Sequence, residues 1–194
     1  MRKRFIVASA SPRRKELLLS SGFEFEIIPS DADETLESGI DAYDAVKELS
    51  KRKAESVLKN NSEAVVLGCD TVVALDGKIL GKPKNEEDAF SMLKMLSGKT
   101  HRVYTGVCIT DGKKTESFVS CAEVTFYELS DETVKSYILS KEPMDKAGAY
   151  GIQGLGSVLV KNINGDYFTI VGLPLAQTAR ALAKFKINGK ISLS

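Results

Sequence analysis

The chain has 194 residues and a mass of 21.1 kDa, with 43% hydrophobic and 27% charged residues. A chain of this size buries about 70% of its extended surface on folding, enough for a core without metal or disulfide staples. Lys and Arg (27) against Asp and Glu (26) leave a net charge of +1, so no strong field draws the protein to nucleic acid or an anionic membrane.

In chain order, residues 4–9 form a short apolar run that reads as a buried strand. Ser11 and Pro12 then open a helix, as N-cap and first helical residue, and Gly22 stops it. Residues 23–29 alternate as a second strand, and 30–39 form an acidic loop. A helix is expected over 41–60, and a long apolar strand over 64–75. Asp76-Gly77 marks a hairpin turn into Ile79 and Leu80. A helix over 85–97 precedes two strands, 100–110 and 115–127, joined through Asp111-Gly112. A helix over 130–140 and a glycine-rich loop over 145–156 follow. Residues 157–163 and 166–171 are expected to pair as a hairpin around Asn164-Gly165, and a helix over 173–186 closes the chain. No repeat or low-complexity tract interrupts this order, so one domain over 1–194 is expected. Alternating strands and helices with several hairpins predict an α/β fold with a mixed sheet.

Other chemistry is limited by composition. Three cysteines, Cys69, Cys108 and Cys121, with no CxxC pair, read as reduced cytosolic thiols. No run of about 18 apolar residues suits a transmembrane helix. A single histidine, His101, argues against His-ligated metals and Ser-His-Asp catalysis. A metal here would be oxygen-liganded, hence Mg²⁺ or Mn²⁺.

Several residues break local rules, and such breaks concentrate at functional sites. Arg13, Arg14 and Lys15 crowd the first turn of the first helix, where cations oppose the macrodipole. An anion, most often phosphate, placed at that turn's free N–H groups relieves both problems. Ser9 and Ser11 add hydroxyls. Asp70 lies inside an otherwise apolar strand, where a carboxylate needs a partner. It reads as a general base, a metal ligand or half of a structural ion pair. Gly68, on the same face, leaves space beside it. Lys53 falls in the apolar stripe of the 41–60 helix and either snorkels outward or reaches inward to an anion. Lys82 sits between Gly81 and Pro83 in a constrained loop. Gln153, among Gly148, Gly151, Gly154 and Gly156, carries both a donor and an acceptor for a base edge. The acidic loop, with Asp31, Asp33, Glu34 and Glu37, offers metal-binding oxygens or simply a solvated surface. Cations, one buried carboxylate and glycine-rich turns, without a nucleophile–histidine pair, suit a polyphosphate with a divalent cation and an attacking water.

The run from Ala8 to Leu18 resembles the opening of the Maf family. So do Gly68 to Val73, Gly81-Lys82-Pro83, Leu96 to His101, Glu142 to Gly154, Asn164 to Tyr167, and Val171 to Pro174, in family order along nearly the whole chain. The resemblance implies a nucleoside triphosphate pyrophosphatase that cleaves between the α- and β-phosphates. It implies a fold similar to the inosine triphosphate pyrophosphatases, a long mixed sheet with flanking helices and two lobes around a deep cleft. It places the catalytic base on Asp70, specificity on Arg13, Thr71 and Gln153, and phosphate-side lysines on Lys53 and Lys82. It puts a metal-side carboxylate on Asp33 or Glu34 beside Asp70, with Mg²⁺ or Mn²⁺ as cofactor. The Lys146 to Gly154 block, with Thr71, looks like the branch that prefers dTTP and UTP. Family members have been linked to inhibition of septum formation, which leaves a non-catalytic nucleotide-binding regulator as the alternative. The resemblance also implies a homodimer.

Overall fold

In a computed structural model describing residues 3–193, one sheet of seven strands runs through the molecule. Its strands are β1 (Arg4–Val7), β2 (Glu26–Ile27), β3 (Ala64–Leu75), β4 (Lys78–Leu80), β5 (Thr100–Thr110), β6 (Thr115–Phe126) and β7 (Val160–Asn164). Their order is β2-β1-β3-β5-β6-β7, with β4 also on β3. The β1–β2 and β1–β3 pairs are parallel and the others antiparallel, so the sheet is mixed. The helices are α1 (Pro12–Ser20), α2 (Ala42–Leu58), α3 (Glu86–Leu96), α4 (Asp131–Leu139), α5 (Tyr167–Val171) and α6 (Leu175–Ala183).

Side chains alternate across β3, and each face has its own cover. Val65, Leu67 and Cys69 join Leu17, Leu18 and Leu182 in one core; Val73 and Leu75, on the same face, join Leu80, Leu93 and Val134 in another. These two cores are the two lobes. Half-buried Ile170 of α5 touches both. The opposite face of β3 is covered by α2, whose buried stripe is Ala42, Ala45, Val46, Leu49, Ser50, Ala54 and Val57.

This packing corrects the expectation of open space beside Gly68. A Cβ on Gly68 would stand 2.1 Å from the Ser50 carbonyl oxygen, and one on Gly106 2.2 Å from that of Val46. The two glycines let the α2 backbone lie directly on β3 and β5, so their room is already filled by helix. Because backbone cannot step aside as a side chain can, Gly68→Ala is expected to cost about 3 kcal/mol. Thermal melting should show Tm falling by about 6–12 °C.

Two further expectations change. Residues 166–171 are not a strand: Asp166 caps α5 by accepting from the Phe168 N–H, and Gly172, at φ 118°, ends it. Caps at both ends outweigh the strand preference of Tyr-Phe-Thr-Ile-Val. Residues 157–159 belong to a 3-10 turn, Gly154–Leu159, so only 160–164 form strand. The second strand shrinks to Glu26–Ile27, since β1 offers it only Ile6 and Val7 as partners. The Asp76-Gly77 turn is as expected, with φ of 50° and 78°.

Candidate active site

The sheet has a gap, and the gap makes the cleft. β1 ends with Val7 opposite Leu67, and antiparallel β4 ends with Leu80 opposite Val73. Between them, residues 68–72 of β3 have a strand only on the β5 side. Asp70 and Thr71 are accordingly half-buried in a strand otherwise almost wholly buried. The chain leaving β1 (residues 8–14) and the chain leaving β4 (Gly81, Lys82) flank this open edge. They border a cleft of about 720 Å³, which also reaches Glu34, Lys53 and residues 145–153.

Lys53 does reach inward. Its ammonium lies 2.6 Å from Asp70 Oδ1 and 2.9 Å from Glu34 Oε1, with only 14% of the lysine and aspartate side chains exposed. Burial, the strongest single influence, pulls the Lys53 pKa down, but Asp70 and Glu34 together outweigh it and hold it above the usual value of 10.5. The stabilisation this brings is complete below that ordinary value and is lost as pH climbs through the raised one. Of the two candidate loop carboxylates, Glu34 lines the cleft, whereas the Asp33 carboxylate turns back to the Thr35 N–H and lies outside the cleft lining. That local bond holds its pKa below the usual carboxylate range.

The two arginines of α1 separate into different roles. Arg14 is a strut, donating to the Gly172 carbonyl at 2.8 Å, Ser9 Oγ at 3.0 Å and Thr71 Oγ1 at 3.1 Å. Thr71 continues the chain to Thr105 Oγ1, which donates to the Thr169 carbonyl. The Thr71 side chain thus lies on the sheet face opposite Asp70, bound to protein. Arg13 lines the cleft and makes no hydrogen bond or salt bridge among the described residues, and the same holds for exposed Lys82 and Gln153. Ser11 is the N-cap residue, but its hydroxyl makes no capping bond, and no acidic residue enters that first turn. The Ser9 hydroxyl accepts from the Ser11 N–H and from Arg14, which leaves its own hydrogen to give. Asp145, on the same cleft wall, acts on Arg13 through space, but neither Arg13 nor Lys82 is tied into a salt bridge among the described residues, so the cleft collects donors and cations that can meet a polyanion.

Among the described residues, no three His, Cys, Asp or Glu form a ready-made metal cage. Asp70 and Glu34 are nonetheless two hard oxygen donors that already share one cation, the Lys53 ammonium. One or two carboxylates completed by substrate phosphates is the usual protein contribution to Mg²⁺, so the donor set fits. The cysteines are free, and burial pushes the Cys69 thiol up while its sulfur lies against the Gly172 carbonyl, so it is no nucleophile.

His101 is structural. It is 1% exposed, its Nε2 is 2.8 Å from Tyr150 Oη, and its ring packs edge-on against Phe126 and Tyr150, which lines the cleft. Burial pulls its pKa from 6.5 to about 4. The unfolded chain therefore takes up the proton first, and stability that is complete above pH 6.5 falls as pH drops towards 4. The loss is about 3 kcal/mol at the acid end. Urea unfolding at neutral pH and near pH 4 is expected to show this loss in the native chain and not in His101→Gln.

The molecule is thus an α/β protein with a cation-lined cleft at an open strand edge and an ion-paired carboxylate at its centre. The chain belongs to the family described as Maf-like protein, whose profile matches residues 4–185. It is 52% identical over 186 residues to the dTTP/UTP pyrophosphatase of Bacillus cereus (strain G9842), covering 96% of this chain and 97% of that one. It is 51% identical, over the same shares of the two chains, to the protein of that name from Bacillus thuringiensis subsp. konkukian (strain 97-27). Among solved structures, protein VC0702 from Vibrio cholerae aligns with a TM-score of 0.40 and 11% identity over 72% of this chain and 78% of that one. No helix among the described residues is long and apolar enough to cross a membrane.

Proposed function

We propose that the protein is a pyrophosphatase that hydrolyses dTTP and UTP to the monophosphate and pyrophosphate. The observation that carries this reading is Asp70, ion-paired to Lys53 at the open edge of β3 in a cleft shared with Arg13 and Lys82, which make no salt bridge among the described residues. Relatives named for this activity, half identical over nearly the full length, support the substrate pair.

Asp70 accepts the proton of the water that attacks the α-phosphorus. Lys53 holds that carboxylate in place through its hydrogen bond to Oδ1. Arg13 and Lys82, from opposite sides of the cleft, draw in the phosphates and neutralise charge on the departing pyrophosphate. Arg14 holds Ser9 in place, so that the Ser9 hydroxyl and the first turn of α1 can donate to phosphate oxygens. Asp70 and Glu34 would hold Mg²⁺ or Mn²⁺, which when bound supplies neutralising charge and lowers the pKa of a bound water. Gln153 donates to O4 and accepts from N3–H of a 2,4-dioxopyrimidine, the edge that uracil and thymine share. The free thiols support a cytosolic setting.

The test is pyrophosphate release from separate nucleoside triphosphates with and without Mg²⁺ or Mn²⁺. Metal-dependent release, fastest from dTTP and UTP, is expected. Preference for a purine would overturn the role of Gln153. Binding without release from any nucleotide would replace the enzyme with a nucleotide-binding regulator.

A further inference from the structure

Gln153 reaches the cleft from a loop that has little backbone support. Outside its own 3-10 turn, the segment 151–156 makes no backbone–backbone hydrogen bond among the described residues. One carboxylate takes their place. Glu142, in the 3-10 turn Glu142–Asp145, accepts from the Leu155 N–H at 2.9 Å through Oε2. Its Oε1 accepts from the Gly156 N–H at 3.0 Å and from Tyr137 Oη at 2.9 Å. Tyr137 Oη in turn accepts from the Gly151 N–H at 3.2 Å, on the other side of Gln153. The loop is thus fastened at 151 and at 155–156, with Gln153 between.

The fit around the carboxylate is close. A Cβ on Gly154, whose φ is +68°, would stand 2.7 Å from Glu142 Oε2, and one on Gly156 2.5 Å from Tyr137 Oη. Burial, the largest influence on Glu142, raises its pKa, but the two N–H groups, Tyr137 and Lys146 bring it below the usual value, so it is ionised at neutral pH. Glu142 does not line the cleft, whereas Gly151, Ile152 and Gln153 do.

We propose that Glu142 and Tyr137 are positioning residues for base selection, clamping the 151–156 loop so that Gln153 stands at a fixed distance from the phosphate-binding end of the cleft. The proposal rests on the reading of Gln153 as the base contact. A clamped loop admits a pyrimidine and leaves a purine short of room. A loose one yields to either base and contributes less to holding the right one. Loss of the clamp therefore acts on KM and selectivity, while the Asp70–Lys53 pair, which touches none of these residues, keeps kcat.

Steady-state kinetics with UTP and ATP, on variants whose folding is checked by thermal melting, test this. Glu142→Ala is expected to raise KM for UTP about tenfold and to shrink the UTP-over-ATP ratio of kcat/KM about tenfold, with kcat down less than about threefold. Glu142→Gln keeps one acceptor oxygen and should fall between. Tyr137→Phe removes the link to Gly151 and the hydroxyl's bond to Glu142 Oε1 but leaves Glu142 its two N–H bonds, so it should move KM and selectivity the same way by a smaller factor; it decides the matter if Glu142→Ala does not fold. In a Gln153→Ala background, Glu142→Ala should change selectivity by less than about twofold, since both act through one contact. A folded Glu142→Ala with native KM and selectivity, or one that loses kcat alone, overturns the clamp while leaving Gln153 its role. A Gln153→Ala enzyme with native selectivity overturns the base contact, and the clamp's function with it.

Discussion

Asp70→Asn is expected to lower kcat about a thousandfold, within the range that a positioned general base contributes. The substitution keeps the shape of the side chain. Its carbonyl oxygen can still accept from Lys53, but it cannot take a proton from water. The fold should survive. Lys53 retains Glu34 at 2.9 Å, and the exchange weakens one charge-assisted hydrogen bond at a half-buried position. That costs about 1–2 kcal/mol, which a melting curve would record as a Tm drop of about 2–8 °C. Turnover comparable to the native enzyme would remove Asp70 from the mechanism, since no other carboxylate lies on that stretch of β3.

Lys53→Met should have the second largest effect, lowering kcat/KM about a hundredfold. Methionine fills the apolar stripe of α2 as well as the lysine stem does, so packing is largely kept. What goes is the ammonium that Asp70 and Glu34 share. Without it, two neighbouring carboxylates repel, and Asp70 loses the contact that aims it. Lys53→Arg restores charge but not the compact ammonium between two oxygens, so rescue should be partial. A folded Lys53→Met enzyme with native kcat/KM would show that Lys53 serves packing alone.

These two residues were legible in the sequence because each breaks a rule: an acid inside an apolar strand, and a lysine on an apolar helical stripe. Either could have been a bland structural feature, and it is their pairing at 2.6 Å across β3 and α2 that joins them. The sheet was legible too, since β3, β5 and β6 are long and their turns carry Asp-Gly. Gly68 was misread because a glycine in a strand announces close approach without saying of what; here it is the α2 backbone. Residues 166–171 look like a strand by composition, and only the caps at Asp166 and Gly172 make them α5. Arg13 and Arg14 are indistinguishable as neighbours in a sequence. Their division into a free cation and a strut depends on Gly172, which lies 158 residues beyond Arg14. Glu142 gave no signal of its own beyond its place in the Glu142 to Gly154 block, because a clamp is visible only once the N–H groups of residues 151, 155 and 156 converge on it and Tyr137.

In the proposed reaction, water deprotonated at Asp70 attacks the α-phosphorus. The most direct measurement is hydrolysis of UTP in water labelled with heavy oxygen, followed by mass spectrometry of the products. Attack at the α-phosphorus places one heavy oxygen in UMP and none in pyrophosphate. Label in pyrophosphate, or release of UDP and inorganic phosphate, would contradict it.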